Sequence, residues 1–129
     1  MVKEIKVLVR IVEKGQLTGT DPSLVTKPAD RPLTIGRNED NDCQIGNAVW
    51  PFVSGQHGTL TYTKSWLTGK LWYEDKSKNG TLYLPPGVKD MSKAVMLHHQ
   101  KVSIPSGAKL LVLDVHTKKV GYMLEVAVA

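Results

Sequence analysis

One cysteine in a chain of 129 residues leaves Cys43 without a partner, which excludes an intrachain disulfide and any zinc site built on several thiols. A buried structural thiol is the expectation there. No apolar stretch approaches the roughly 20 residues of a membrane span. The opening Met1-Val2-Lys3-Glu4-Ile5-Lys6 alternates charge with apolar residues where a signal peptide would need an apolar block. We therefore expect a cytoplasmic protein with no membrane partner. Aromatic residues make up only 6%, and among the lysines only Lys118 and Lys119 are adjacent. The formal charge of +5 favours an anionic partner, but a nucleic-acid surface would gather its cations into a stripe with aromatics between them. No nucleic acid is expected.

Helical patterning is missing as well. No long window sustains a 3.6-residue apolar period with caps at both ends, so helix should be confined to isolated turns. What the chain has instead is strand. Residues 4–12 place Ile5, Val7, Val9 and Ile11 on one face with a period of two. Short runs rich in Val, Ile, Thr, Tyr and Leu follow at 33–35, 43–45, 58–63, 70–75, 81–84, 95–97, 101–104, 109–115 and 120–128, separated by turn residues. Residues 14–31, with Gly15, Gly19, Pro22 and Pro28 among polar neighbours, read as a long surface loop with one short strand inside. The pattern is that of an all-β sandwich in a single domain spanning 1–129. The apolar run at 125–129 leaves open that this domain is a piece of a longer protein.

Three loop segments carry chemistry. Gly36-Arg37 leaves the run at 33–35 through a glycine, which sets a guanidinium at the mouth of the strand; the plain alternative is an arginine paired with Glu39, Asp40 or Asp42. Ser54-Gly55-Gln56-His57 offers a hydroxyl and backbone N–H groups that can approach an anion closely. His57 beside it is expected to hold the loop by hydrogen bonds within the protein. Lys78-Asn79-Gly80-Thr81 is the strongest of short turn signals, because both Asn and Gly tolerate positive φ; it also fits an N-glycosylation acceptor, a reading that lacks a secretion signal. A fixed cation, a hydroxyl, a side-chain amide and open backbone N–H groups suit a doubly charged phosphate group.

In order and spacing these segments resemble the forkhead-associated (FHA) domain, whose pattern of Gly-Arg, then Ser-x-x-His, then Asn-Gly-Thr is met by Gly36-Arg37, Ser54-Gly55-Gln56-His57 and Asn79-Gly80-Thr81. The likeness extends from Ile5 to about Val126. It implies a β-sandwich of about eleven mostly antiparallel strands, without enzymatic activity or cofactor, whose loops bind a threonine-phosphorylated protein in signalling. By that resemblance Arg37 and Ser54 contact the phosphate, the Gly55 N–H adds a bond, Lys78 reaches toward it and Asn79 grips the peptide main chain. Gly36, His57, Gly80 and Thr81 shape the loops, and Phe52 would influence which residues follow the phosphothreonine. Gly55 stands where the family often has arginine or asparagine, residues 48–52 lengthen the preceding loop, and Gln100-Lys101 replaces a frequent Gly-Asp. The alternative within the family is an interaction module that has lost phosphate recognition. Outside it, Ser54, His57 and Asp75 could form a hydrolase triad only if a turn brought them within hydrogen-bond reach. His98, His99 and His116 have no carboxylate or cysteine pattern to make a metal site and read as solvated or half-buried.

Overall fold

A computed structural model describes residues 3–13, 16–17, 23–46, 52–114, 116 and 118–129. Strand β1 (Glu4–Glu13) turns Ile5, Val7 and Val9 into the core, as its alternation requires. Beyond it come β2 (Gln16–Leu17), β3 (Ser23–Pro28), β4 (Leu33–Gly36), β5 (Cys43–Gln44), β6 (Gly58–Lys64), β7 (Gly69–Asp75) and β8 (Thr81–Leu84). After a 3-10 turn at Met91–Lys93 the chain adds β9 (Val95–Leu97), β10 (Lys101–Ile104), β11 (Lys109–Leu113) and β12 (Val120–Val128). The 3-10 turn, with Asp90 as its cap, is the only helical element among the described residues.

The strands form two sheets, one of seven strands ordered β2-β1-β12-β11-β8-β9 with β3 also on β1, the other of five ordered β10-β7-β6-β4-β5. All pairings are antiparallel except β4 with β5. Leu33, Ile35, Leu60, Leu71, Tyr73 and Ile104 from the smaller sheet meet Ile5, Val7, Leu110, Val112, Leu124 and Val126 from the larger one. Such face-to-face packing of two half-apolar sheets is why every long strand alternates. Cys43 lies fully buried in this core, and burial pushes its thiol up to about 12.

The sandwich matches the sequence reading, with one extension. The segment read as a loop with one short strand inside holds two strands, the two-residue β2 and the six-residue β3, which runs along β1 from Glu4↔Pro28 to Val9↔Ser23. The side chains of β3 are mostly exposed and only Val25 packs on the core, so it carries almost no apolar alternation to detect. Backbone pairing at an open sheet edge holds it in place. Residues 14–15 and 18–22 of that segment, like residues 47–51 of the lengthened loop, lie outside the described residues.

Register decides where the loops go. Ile35 faces Gly58, Gly58 faces Asp75, and Thr81 faces Leu97. The exit of β4, the entry of β6, the exit of β7, the entry of β8 and the β9–β10 turn therefore share one end of the sandwich. The hairpin tip between β6 and β7 lies at the other.

Candidate functional site

The first two motif segments are tied to each other by backbone bonds, and the third is tied to them through the Ser54 hydroxyl. The Arg37 N–H donates to the Ser54 carbonyl at 3.0 Å and the Asn38 N–H to the Gly55 carbonyl at 3.2 Å. The Lys78 N–H donates to Ser54 Oγ at 2.8 Å. Gly36 makes this close approach feasible: a Cβ there would run into the Gly55 carbonyl oxygen. Gly80 sits at φ +89 with Met96 against it, a conformation that side chains rarely adopt.

Beneath the rim is a buried polar network. The Asp75 carboxylate accepts from Tyr73 OH at 3.0 Å, Thr81 Oγ1 at 2.7 Å, Ser77 Oγ at 2.9 Å, and the N–H groups of Ser77 at 3.3 Å and His99 at 3.1 Å. Ser77 Oγ also accepts from the Gly80 N–H at 2.8 Å. His57, 1% exposed, accepts at Nδ1 from the Ser54 N–H at 3.1 Å, which leaves its proton on Nε2 to donate to Thr81 Oγ1 at 2.9 Å. Burial holds the imidazole well below its usual range, at about 4, against the opposing pull of Asp75. His57 is thus a neutral crossbar joining the Ser54 loop to the start of β8.

These bonds also dispose of the triad. Ser54 Oγ accepts from Lys78 and is not bonded to the imidazole, while His57 reaches Asp75 only through Thr81. The pairing considered for Arg37 is not observed either. Asp42 is engaged by Lys27 at 2.8 Å and by the Thr34 N–H at 2.9 Å, and Asp40 by Gln56 at 3.2 Å. Although partial burial opposes it, these bonds hold the Asp42 carboxyl below its usual range. No described carboxylate pairs with Arg37. Among the described residues, the Arg37 guanidinium, the Ser54 hydroxyl proton, the Gly55 N–H, the Lys78 ammonium and the Asn79 amide have no hydrogen-bond acceptor or counter-ion.

Several supporting residues escaped the sequence reading. Asn41 Nδ2 donates to the carbonyls of Asn38 at 3.0 Å and Gly55 at 2.8 Å, which pins the Arg37 loop to the Ser54 loop. His98 and His99, read as solvated or half-buried, are exposed and in addition hold the third loop: His99 Nε2 donates to the Ser77 carbonyl at 2.8 Å and His98 Nε2 to the Lys78 carbonyl at 3.1 Å. Their sequence gave no hint, because the strand spacing that sends neighbours to opposite faces fails in the turn after β9, where His99 takes φ 53. Asp75, weighed only as a triad acid, could have been read as a buried hub: it continues the inward series Leu71, Tyr73, Asp75 on β7, and a carboxylate there must collect donors. Phe52 packs edge-to-face on His116 with centroids 5.9 Å apart, at the same end of the sandwich.

With this geometry in view, the sequence profile of the FHA domain matches residues 33–109. The chain belongs to the forkhead-associated family. The matched span runs from β4 to the start of β11 and includes every residue of the three motifs. No curated protein sequence matches the chain. Among solved structures, the yeast splicing factor Pml1 superposes with a TM-score of 0.70 at 15% identity, over 98% of this chain and 80% of its own. The FHA2 domain of Rad53, complexed with a phosphotyrosyl peptide derived from Rad9, gives 0.64 at 15% identity, over 98% and 77%. A structure analysed for phosphothreonine-dependent FHA domain interactions gives 0.58 at 13%, over 96% and 95%. At these identities the likeness is one of fold.

Two outcomes follow from the network. Because the folded His57 stays neutral down to about pH 4 while an unfolded histidine takes its proton near 6.5, only the unfolded state gains a proton between those values. Stability then falls with pH through this window, by about 3 kcal/mol in all. Denaturant titrations from pH 7 to 4 should show that loss in the wild type and a smaller one in His57→Gln; equal slopes would refute the assignment. Removing the His99 ring frees the Ser77 carbonyl, so amide exchange at Lys78 and Gly80 should quicken about tenfold in His99→Ala, the effect of one lost bond.

Proposed function

We propose that the loop end of this FHA domain binds phosphothreonine peptides and so joins the protein to a phosphorylated partner. The observation that carries this reading is the set of unengaged donors on three loops that hydrogen bonds tie to one another. Arg37 supplies a permanent planar cation suited to two phosphate oxygens. Ser54 retains its proton because its oxygen, not its hydrogen, is taken by Lys78. The Gly55 N–H and the Lys78 ammonium lie on the same joined loops, and Asn79, one residue on, is free to bond a peptide main chain. The phosphotyrosyl-peptide complex of the Rad53 FHA2 domain and the structure analysed for phosphothreonine-dependent FHA domain interactions support a phosphorylated ligand. Phosphothreonine rather than another phosphoresidue is our reading, and Phe52 is our candidate for selecting the residue that follows it.

Affinity must come from the set acting together. A single exposed charge pair contributes about 0 to 1 kcal/mol, whereas charge-assisted bonds to one phosphate add roughly 1.5 to 3 kcal/mol each. Losing the guanidinium should therefore cost roughly 2 to 5 kcal/mol of binding. In calorimetric titrations with a phosphothreonine peptide library hit, Arg37→Ala should bind beyond detection while melting like the wild type. Equal affinity for the phosphorylated and unphosphorylated forms would replace this reading with that of a phosphate-independent interaction module.

A further inference from the structure

The opposite end of the sandwich has its own surface. Between β6 and β7 the chain reverses through a tight turn in which the Ser65 N–H donates to the Thr68 carbonyl at 2.8 Å, the Thr68 N–H to Ser65 Oγ at 3.1 Å and Ser65 Oγ back to the Thr68 carbonyl at 2.9 Å. Its apex is Trp66, 90% exposed, and Leu67, 73% exposed. Neither packs on the core, and the bonded turn holds both out into solvent. Lysines flank the apex at 64 and 70, and no carboxylate occurs between Thr63 and Tyr73.

Beside the hairpin lies a hollow of about 430 Å³ whose polar lining is Lys3, Tyr62, Lys70, Ser103 and Ser106, with no carboxylate among its residues. Lys3 Nζ lies 3.4 Å from Tyr62 OH. Around them Arg31, Lys89 and Lys93 are balanced by Glu4, Asp30 and Asp90, so the net positive charge of this end comes from Lys3, Lys64 and Lys70. The ammonium and hydroxyl donors of the hollow suit a phosphate monoanion or diester.

We propose that this end docks on an anionic lipid bilayer, with Trp66 and Leu67 entering the interface and the lysine-lined hollow receiving headgroup phosphate. Tryptophan prefers the headgroup level, where its ring is buried and its indole N–H stays wet. Lysines beside an inserted apolar group add attraction to anionic lipid. A convex apolar apex backed by a cationic surround is complementary to a bilayer, which offers both chemistries over the whole area; a protein pocket would use the apex and leave the cations unmatched. The absence of a spanning segment in the sequence does not bear on such surface docking.

The test is sedimentation of the purified protein with phosphatidylcholine vesicles, with and without phosphatidylserine. The protein should sediment only with the mixed vesicles, and less as salt rises. The double variants Trp66→Ser/Leu67→Ser and Lys64→Glu/Lys70→Glu should each lose about tenfold in apparent affinity while melting and binding phosphopeptide like the wild type, so that this proposal and the phosphopeptide reading stand or fall separately. Acyl-chain-brominated lipid should quench tryptophan fluorescence in the wild type and not in Trp66→Phe. Equal binding to neutral vesicles, wild-type protein that stays in the supernatant, or a Trp66→Ser/Leu67→Ser variant that binds unchanged would overturn the proposal.

Discussion

The loop end of this domain depends on one buried carboxylate. Asp75 stands at the inward-facing end of β7, where an uncompensated charge would cost several kcal/mol. It is kept there by hydroxyls and backbone N–H groups drawn from Tyr73, Ser77, Thr81 and His99. Each donor belongs to a different piece of the rim's foundation: β7 itself, the turn after it, the start of β8 and the turn after β9. Satisfying the charge therefore fixes these pieces relative to one another. Tethered through Thr81, His57 extends the arrangement to the Ser54 loop, and its burial in the neutral form keeps a second charge out of the network.

This arrangement separates two tasks that compete for the same atoms. Hydrogen bonds that position the loops run between backbone groups or from side chains below the rim, as with Asn41 to the Gly55 carbonyl and His99 to the Ser77 carbonyl. The side chains of Arg37, Lys78 and Asn79 are left without partners among the described residues. The Ser54 hydroxyl shows the division within one atom group, since its lone pair is engaged by Lys78 and its proton is not. Aspartates that could have neutralised Arg37 are occupied by Lys27, Thr34 and Gln56. A ligand then meets donors already in place, with little ordering left to do on binding.

The sequence disclosed what is periodic or ordered by chain position. Alternation in β1, β6, β7 and β12 is strong because one face of each is buried, and the motif order Gly36-Arg37, Ser54 to His57, Asn79 to Thr81 carried the family. β3 was underestimated because a strand held by backbone bonds at an edge has no buried face to write into its residues. The loop-holding bonds of His98 and His99 were missed for a related reason: they are made from a turn in which His99 takes a positive φ, which no spacing rule foresees for histidine. Asn41 lies in a polar loop among other Asn and Asp residues, and only the approach of the Gly55 carbonyl distinguishes it.

The two ends of the sandwich can act at the same time. β6, seven residues long, crosses from the Ser54 loop to the Trp66 apex, a distance of about 23 Å at 3.3 Å per residue. That is close to three Debye lengths of roughly 8 Å at physiological salt. Lysines at the apex therefore add little to the field at Arg37, and charge at the Arg37 rim adds little at the apex. The paired strands between them, packed on a common core, leave no hinge through which one end could distort the other. A domain built this way would hold a phosphorylated partner at one pole whatever the other pole touches.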